Sequence, residues 1–247
     1  MADCRLGVLA FGDSITNGGG ELQWGVALQS WALWVARGLG LPYSGFATDG
    51  ARVDDVLAEQ LPAVPAQARY DLGCLYIGVN DVRALDWERA RFQAGHREAM
   101  AFLRERCDRL LTMTVPLDLG RPRVGAKVHE VNAAIEASAR DAGALVVDLR
   151  DFGARNLVMT DHVHPTAFGQ IAIAERALDV LATAGLRLRV RPSTLIRYET
   201  TRWRRLRGDL TYLYRHAKVS TRAAAICARV AADRYRSGDS ASARSGT

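Results

Sequence analysis

Leu6-Gly7-Val8-Leu9-Ala10-Phe11-Gly12-Asp13-Ser14-Ile15-Thr16 is the stretch on which the fold turns. Leu6 to Phe11 is a short apolar run without alternation, the pattern of a buried strand. The glycine and polar residues after it mark a turn toward a helix. The same unit recurs along the chain. Leu72 to Ile77, closed by Gly78, reads as a second central strand. Leu110 to Val115, stopped by Pro116, is a third, and Leu145 to Leu149 a fourth. A further strand is expected near Tyr43 to Ala47. Between these runs the spacing is helical. Leu28 to Leu39 places Trp31, Trp34 and Val35 on one face, and Glu88 to Arg106 carries Phe92, Met100 and Leu103. Val128 to Ala142 ends at Gly143, and Thr166 can cap a helix running to about Leu181. Strands alternating with helices of this length predict parallel βαβ units, hence a flavodoxin-like three-layer α/β/α fold with a central parallel sheet. In such sheets ligands bind beyond the carboxyl ends of the strands. Functional residues are therefore sought immediately after each strand.

The 247 residues are 49% apolar, enough for one sizeable core. No uncharged apolar run approaches the ~18 residues of a membrane span. Leu6 to Phe11 is too short for a signal-peptide core, so a cytoplasmic protein is expected. Cys4, Cys74, Cys107 and Cys227 form no CxxC pair and have no metal-ligand spacing with the histidines, which suits reduced structural thiols. Charge is unevenly divided. From Arg187 onward there are 15 Lys and Arg against 4 Asp and Glu, a net of +11, whereas residues 1–186 hold 18 basic and 23 acidic residues, a net of −5. The high isoelectric point belongs to the C-terminal extension and not to the α/β domain.

Three loops pass the positional filter, and a fourth near the end of the domain leads into the last helix. Phe11-Gly12-Asp13-Ser14-Ile15-Thr16 sets a serine where a strand turns into a helix. It is not a P-loop, because no Gly-Lys-Ser/Thr follows, and not a GxSxG elbow, because position 16 is Thr. Alone, Ser14 is a helix cap or a nucleophile. Ala47-Thr48-Asp49-Gly50-Ala51 supplies a glycine whose backbone N–H can approach a ligand, or an ordinary turn. Gly78-Val79-Asn80-Asp81 offers an amide into the crevice, or an Asx turn. Asp161-His162-Val163-His164-Pro165-Thr166 places an Asp three residues before a His, as an orienting pair, a metal loop or a solvated loop.

Together, GDSIT, the isolated Gly50, GVND and DHVHP resemble the successive blocks of the SGNH hydrolases, the GDSL-family serine esterases, in the same chain order. Trp31 is similar to an aromatic position common after the first block. The resemblance implies a serine nucleophile at Ser14, a general base at His164 and an orienting carboxylate at Asp161. It implies an oxyanion hole from the backbone N–H groups of Ser14 and Gly50 and the side-chain amide of Asn80. The implied reaction is cleavage of an acyl ester through an acyl-enzyme, or transfer of the acyl group to an acceptor alcohol by the same residues. No metal and no organic cofactor is implied. His162 is expected to point away, Asp13 and Asp81 to support loop geometry, and His96 and His129 to be surface or packing residues.

This divides the chain into a catalytic domain at 1–186, a basic, mainly helical extension at 187–236 and a disordered tail at 237–247. The glycine-rich loop from Gly18 to Trp24 either packs on the domain or lines an acyl or alcohol site through Leu22 and Trp24. The extension mixes Arg with Tyr198, Trp203, Tyr212 and Tyr214. It admits helices packed on the domain or a dimer partner, peripheral attachment to an anionic membrane, or binding of an anionic carrier. No nucleic-acid motif accompanies the charge, so no nucleic-acid partner is expected. The expected partner is a small-molecule, lipid or sugar acyl ester.

Overall fold

The fold is described from a computed structural model, in which residues 5–198 and 200–242 are described, with backbone alone at 204, 231 and 233–242. Five strands form one all-parallel sheet: β1 (Val8–Gly12), β2 (Tyr43–Gly45), β3 (Tyr70–Tyr76), β4 (Cys107–Met113) and β5 (Leu145–Val147). Their spatial order is β2-β1-β3-β4-β5. All of β1 and nearly all of β3 is buried, because helices cover both faces of a parallel sheet. That is why the central strands read as apolar runs, whereas the edge strand β2, Tyr43-Ser44-Gly45, does not. Val8 pairs with Tyr43 on one side and Leu72 on the other. The chain thus runs outward from β1 in both directions, and the switch point lies between β1 and β3.

The helices are α1 (Ser14–Asn17), α2 (Trp31–Leu39), α3 (Val53–Asp55, continued as a π-helical turn over Val56–Gln60), α4 (Val79–Arg83), α5 (Arg89–Arg106), α6 (Lys127–Ala142) and α7 (Ala167–Thr183). Helices α2 and α7 pack together on one face of the sheet and α5 and α6 on the other. Two starts are capped as their side chains dictate. Ser30 Oγ accepts from the Ala32 N–H at 3.1 Å, and Thr166 Oγ1 from the Gly169 N–H at 3.1 Å. The Ser30 cap starts α2 three residues after Leu28, where the apolar pattern alone had begun it.

A short 3₁₀ turn (Pro192–Leu195) leads to α8 (Arg202–Ser242). Helix α8 docks by one face. Asp209 pairs with Arg155 at 2.5 Å, Arg215 with Glu21 at 2.7 Å, and the Arg155 guanidinium lies 5.2 Å from the Tyr212 ring centroid. Its other face leaves Trp203, Leu206, Leu210, Leu213 and Tyr214 exposed. The backbone stays helical through 237–242, a stretch whose Ser and Gly content had suggested disorder, because an established helix adds one hydrogen bond per residue fixed. Residues 243–247 lie outside the described residues. No helix among the described residues is long and apolar enough to cross a membrane.

Candidate active site

The first loop is built around Gly12, whose φ of +152° a side chain would strain. A Cβ there would stand 2.4 Å from the Tyr76 carbonyl oxygen, so β1 and β3 approach closely only with glycine at this end. Gln60, buried on the π-helical turn, bonds the peptide groups on both sides of the same residue. Its Oε1 accepts from the Gly12 N–H at 3.0 Å, and its Nε2 donates to the Gly12 carbonyl at 2.8 Å and to Thr48 Oγ1 at 3.1 Å. Asp13 then caps α1, its Oδ1 accepting from the Ile15 N–H at 2.9 Å. A second buried glutamine, Gln170 of α7, donates to the carbonyls of Ile15 and Gly19 at 2.9 and 3.0 Å. Ser14 is therefore held from the strand, from α3 and from α7 at once. Neither glutamine was singled out from the sequence.

Ser14 Oγ lies 3.0 Å from His164 Nε2, and His164 Nδ1 lies 2.7 Å from Asp161 Oδ2. The other oxygen, Asp161 Oδ1, accepts the backbone N–H groups of Val163 and His164 at 2.9 and 3.1 Å. Both carboxylate oxygens are thus occupied and the imidazole is fixed edge-on. Residues 150 apart in the chain meet because β1 and the loop before α7 end on the same side of the sheet. The hydrogen bond from Asp161 raises the His164 pKa above that of a free imidazole, outweighing burial. For Asp161 burial alone would raise the pKa, but its bonds from His164 and the backbone hold it below the ordinary carboxylate value.

Gly50 and Asn80 reach the same end of the sheet. Asn80 Nδ2 donates to the Ala51 carbonyl at 3.0 Å and Asp81 Oδ1 accepts from the Val53 N–H at 2.9 Å, clamping the two loops together. Asn17 Nδ2 donates to Asp49 Oδ1 at 2.9 Å and ties the Ser14 loop to them. The backbone N–H groups of Ser14 and Gly50 have no protein acceptor among the described residues. Gly50 has φ +79°, and a Cβ there would meet nothing within 4 Å. One Asn80 amide hydrogen is also uncommitted, since Ala51 takes the other. Three N–H donors are thus left without a protein partner.

The neighbouring ionisable groups take other parts. His162 turns to Arg121, whose Nη2 lies 2.9 Å from its Nδ1, and to Asp118 at 3.1 Å; burial and the guanidinium lower its pKa. Its ring also stands 6.1 Å from that of His216 on α8. His96 is fully buried and burial pushes its pKa down to about 3, a packing residue, while His129 is exposed. Asp13 and Asp81 each bond a backbone N–H, and burial raises their pKa values to about 7 and about 6. Leu22 and Trp24 line a separate cavity of about 600 Å³ beneath α8, whose lining includes neither Ser14 nor His164. Trp24 packs against Phe168 and Tyr198, with ring centroids 5.4 and 6.0 Å away. Among the described residues no cluster of His, Cys, Asp and Glu is arranged to hold a metal ion.

Fold and site define a class: an ester hydrolase of the SGNH/GDSL type on a parallel α/β sheet. Residues 10–171, more than half of the chain, match the GDSL-like lipase/acylhydrolase family, and the chain belongs to that family. No curated protein matches it. Among solved structures it is similar to the acetylxylan esterase Axe2 of Geobacillus stearothermophilus, with 22% identity and a TM-score of 0.56 over 72% of this chain and 96% of that one. It is also similar to LAE5, an α/β hydrolase from the metagenome of Lake Arreo, at 20% identity and TM-score 0.58 over 73% and 97%. An extracellular lipase of Streptomyces rimosus aligns at 25% identity and TM-score 0.53 over 72% and 98%.

Proposed function

We propose that the protein cleaves an acyl ester by nucleophilic catalysis at Ser14, with His164 as general base and Asp161 as its orienting carboxylate. The observation that carries this reading is the continuous chain of contacts from Ser14 Oγ to His164 Nε2 at 3.0 Å and from His164 Nδ1 to Asp161 at 2.7 Å. Asp161 holds the proton on Nδ1, which leaves the Nε2 lone pair facing the serine hydroxyl. As Oγ bonds to the ester carbonyl carbon, its proton passes to Nε2 and the carbonyl π electrons move onto oxygen. The oxyanion is met by the uncommitted N–H donors of Ser14, Gly50 and Asn80. When it collapses, the C–O bond to the alcohol breaks and Nε2 returns the proton to the departing oxygen. Water, activated the same way, then cleaves the acyl-enzyme and frees the acid. An acceptor alcohol in place of water would complete a transfer instead.

Labelling with a fluorophosphonate tests the reading directly. The expected result is a single adduct on the peptide containing Ser14; an intact, folded protein that takes no label overturns it. Donors aimed at a developing oxyanion are each worth roughly 3–4 kcal/mol. Asn80→Ala should therefore lower kcat on a 4-nitrophenyl ester by about 10²–10³. A loss below threefold would remove Asn80 from the oxyanion hole.

A further inference from the structure

A groove of about 510 Å³ opens beside Gly50 and Asn80. Its charged lining is entirely basic: Arg52, Arg83, Arg121, Arg123 and Lys127, with no acidic residue. This concentration sits in a domain whose net charge is −5. Three of the five cations already have a carboxylate partner, although two of them share one. Arg52 pairs with Asp86 at 3.0 Å, and Arg121 and Arg123 share Asp118 at 2.9 and 2.8 Å. Arg83 and Lys127 have no carboxylate within 4.0 Å among the described residues, and both are exposed. Arg83 is the last residue of α4, three residues after Asn80 in the same helix, and reaches across to the facing loop, where a Cβ on Gly120 would lie 3.7 Å from its Nε. Lys127 is the first residue of α6, so the N-terminal end of that helix dipole adds to the positive field.

We infer that this groove takes an anionic group, a phosphate or a carboxylate, carried by the ester substrate and held by Arg83 and Lys127. The inference rests on the acyl-ester reading of Ser14 and narrows its substrate class. Guanidinium and ammonium groups without internal partners keep full capacity for charge-assisted hydrogen bonds to an oxyanion. The paired Arg52, Arg121 and Arg123 share the lining, to which their partners Asp86 and Asp118 do not belong. Leu85 and Val124 add apolar surface to the same groove for the carbon skeleton joining the anion to the ester. An open groove is salt-sensitive, because exposed charges are screened over about 8–10 Å at ordinary ionic strength.

Two matched pairs of esters distinguish where the anion sits. One is glycerol 1-acetate against 1-acetylglycerol 3-phosphate, with the anion on the alcohol. The other is 4-nitrophenyl pentanoate against 4-nitrophenyl hydrogen glutarate, with the anion on the acyl chain. At low salt one anionic member should be favoured over its neutral partner by about tenfold in kcat/KM, mainly through KM, the scale of one charged hydrogen bond. The advantage should shrink with added salt and collapse in Arg83→Gln/Lys127→Gln, yet survive in the charge-keeping Arg83→Lys/Lys127→Arg. No advantage in either pair, or one that the Gln double variant leaves intact, overturns the inference. Titrating glycerol 3-phosphate and glutarate into the Ser14→Ala protein reads the groove without turnover. If the fluorophosphonate and both neutral esters fail, the ester reading falls. Saturable binding of one of these anions that the Gln variant loses would still support the anion site, and absence of binding would end it.

Discussion

Replacing Ser14 by Ala should lower kcat on a 4-nitrophenyl ester by roughly 10⁶, and Asp161→Asn should lower it by about 10⁴. The serine effect follows from loss of the only atom that can form the acyl bond. The aspartate effect is the more discriminating. Asp161 uses both oxygens, Oδ2 for His164 Nδ1 and Oδ1 for the N–H groups of Val163 and His164. An asparagine has only one oxygen to offer. If the oxygen stays with the backbone donors, the amide NH₂ faces Nδ1. It then forces the imidazole proton onto Nε2, where the base is needed. If the amide flips, its NH₂ opposes two backbone donors and the loop that presents His164 is disturbed. Either arrangement disables the base while leaving Ser14 in place. Residues acting as one unit are not additive, so Ser14→Ala/Asp161→Asn should be no slower than Ser14→Ala within about threefold. Steady-state rates of the three variants decide this. A loss below tenfold in Asp161→Asn would remove the carboxylate from the mechanism.

The central sheet was legible because burial on both faces writes long apolar runs into β1 and β3. The first and last turns of the elements were less so. Strand β4 begins at Cys107 and not Leu110, since Asp108 and Arg109 face solvent at the end of the sheet and carry no apolar signal. Three of the four loops were legible because each follows a strand and holds a recognisable side chain, and the fourth because an Asp and a His stand three residues apart just before the Thr166 cap of α7. The supports beneath them were not. Gln60 and Gln170 are single buried amides whose partners are backbone groups 48 and 155 residues away at their farthest. No local pattern marks such a residue, and in sequence each looks like an exposed helical glutamine. The basic groove was hidden for the same reason. Arg52 precedes α3, Arg83 ends α4 and Lys127 starts α6, far apart in the sequence of an acidic domain, so no local run of charge marks them as neighbours. Sequence shows which groups carry chemistry; tertiary structure decides which of them are already neutralised.

Asp13→Asn should change the pH dependence of stability by about 4 kcal/mol between pH 4 and pH 8. Asp13 is fully buried and its Oδ2 has no hydrogen-bond partner, while burial raises its pKa from 3.8 to about 7. The N–H groups of Ile15 and of Asp13 itself and the His164 ring only partly offset the loss of water. In the unfolded chain the same carboxyl ionises near 3.8. Below that value both states are protonated and the group is neutral to stability. Between the two values the folded state holds a proton that the unfolded state has released, so stability falls as pH rises through this window. Above about 8 both states are ionised and the cost is constant. Three pH units at about 1.4 kcal/mol each give the quoted size. Asparagine keeps the Oδ1 acceptor that caps α1 and carries no charge, so its stability lacks this slope. Any cost of burying its unsatisfied NH₂ is the same at every pH and drops out of the comparison. Urea unfolding of both proteins at several pH values measures the gap. A gap that does not widen toward alkaline pH would mean that Asp13 folds ionised, with its charge compensated at Oδ2, and that the floor beneath Ser14 is more polar than its backbone donors alone imply.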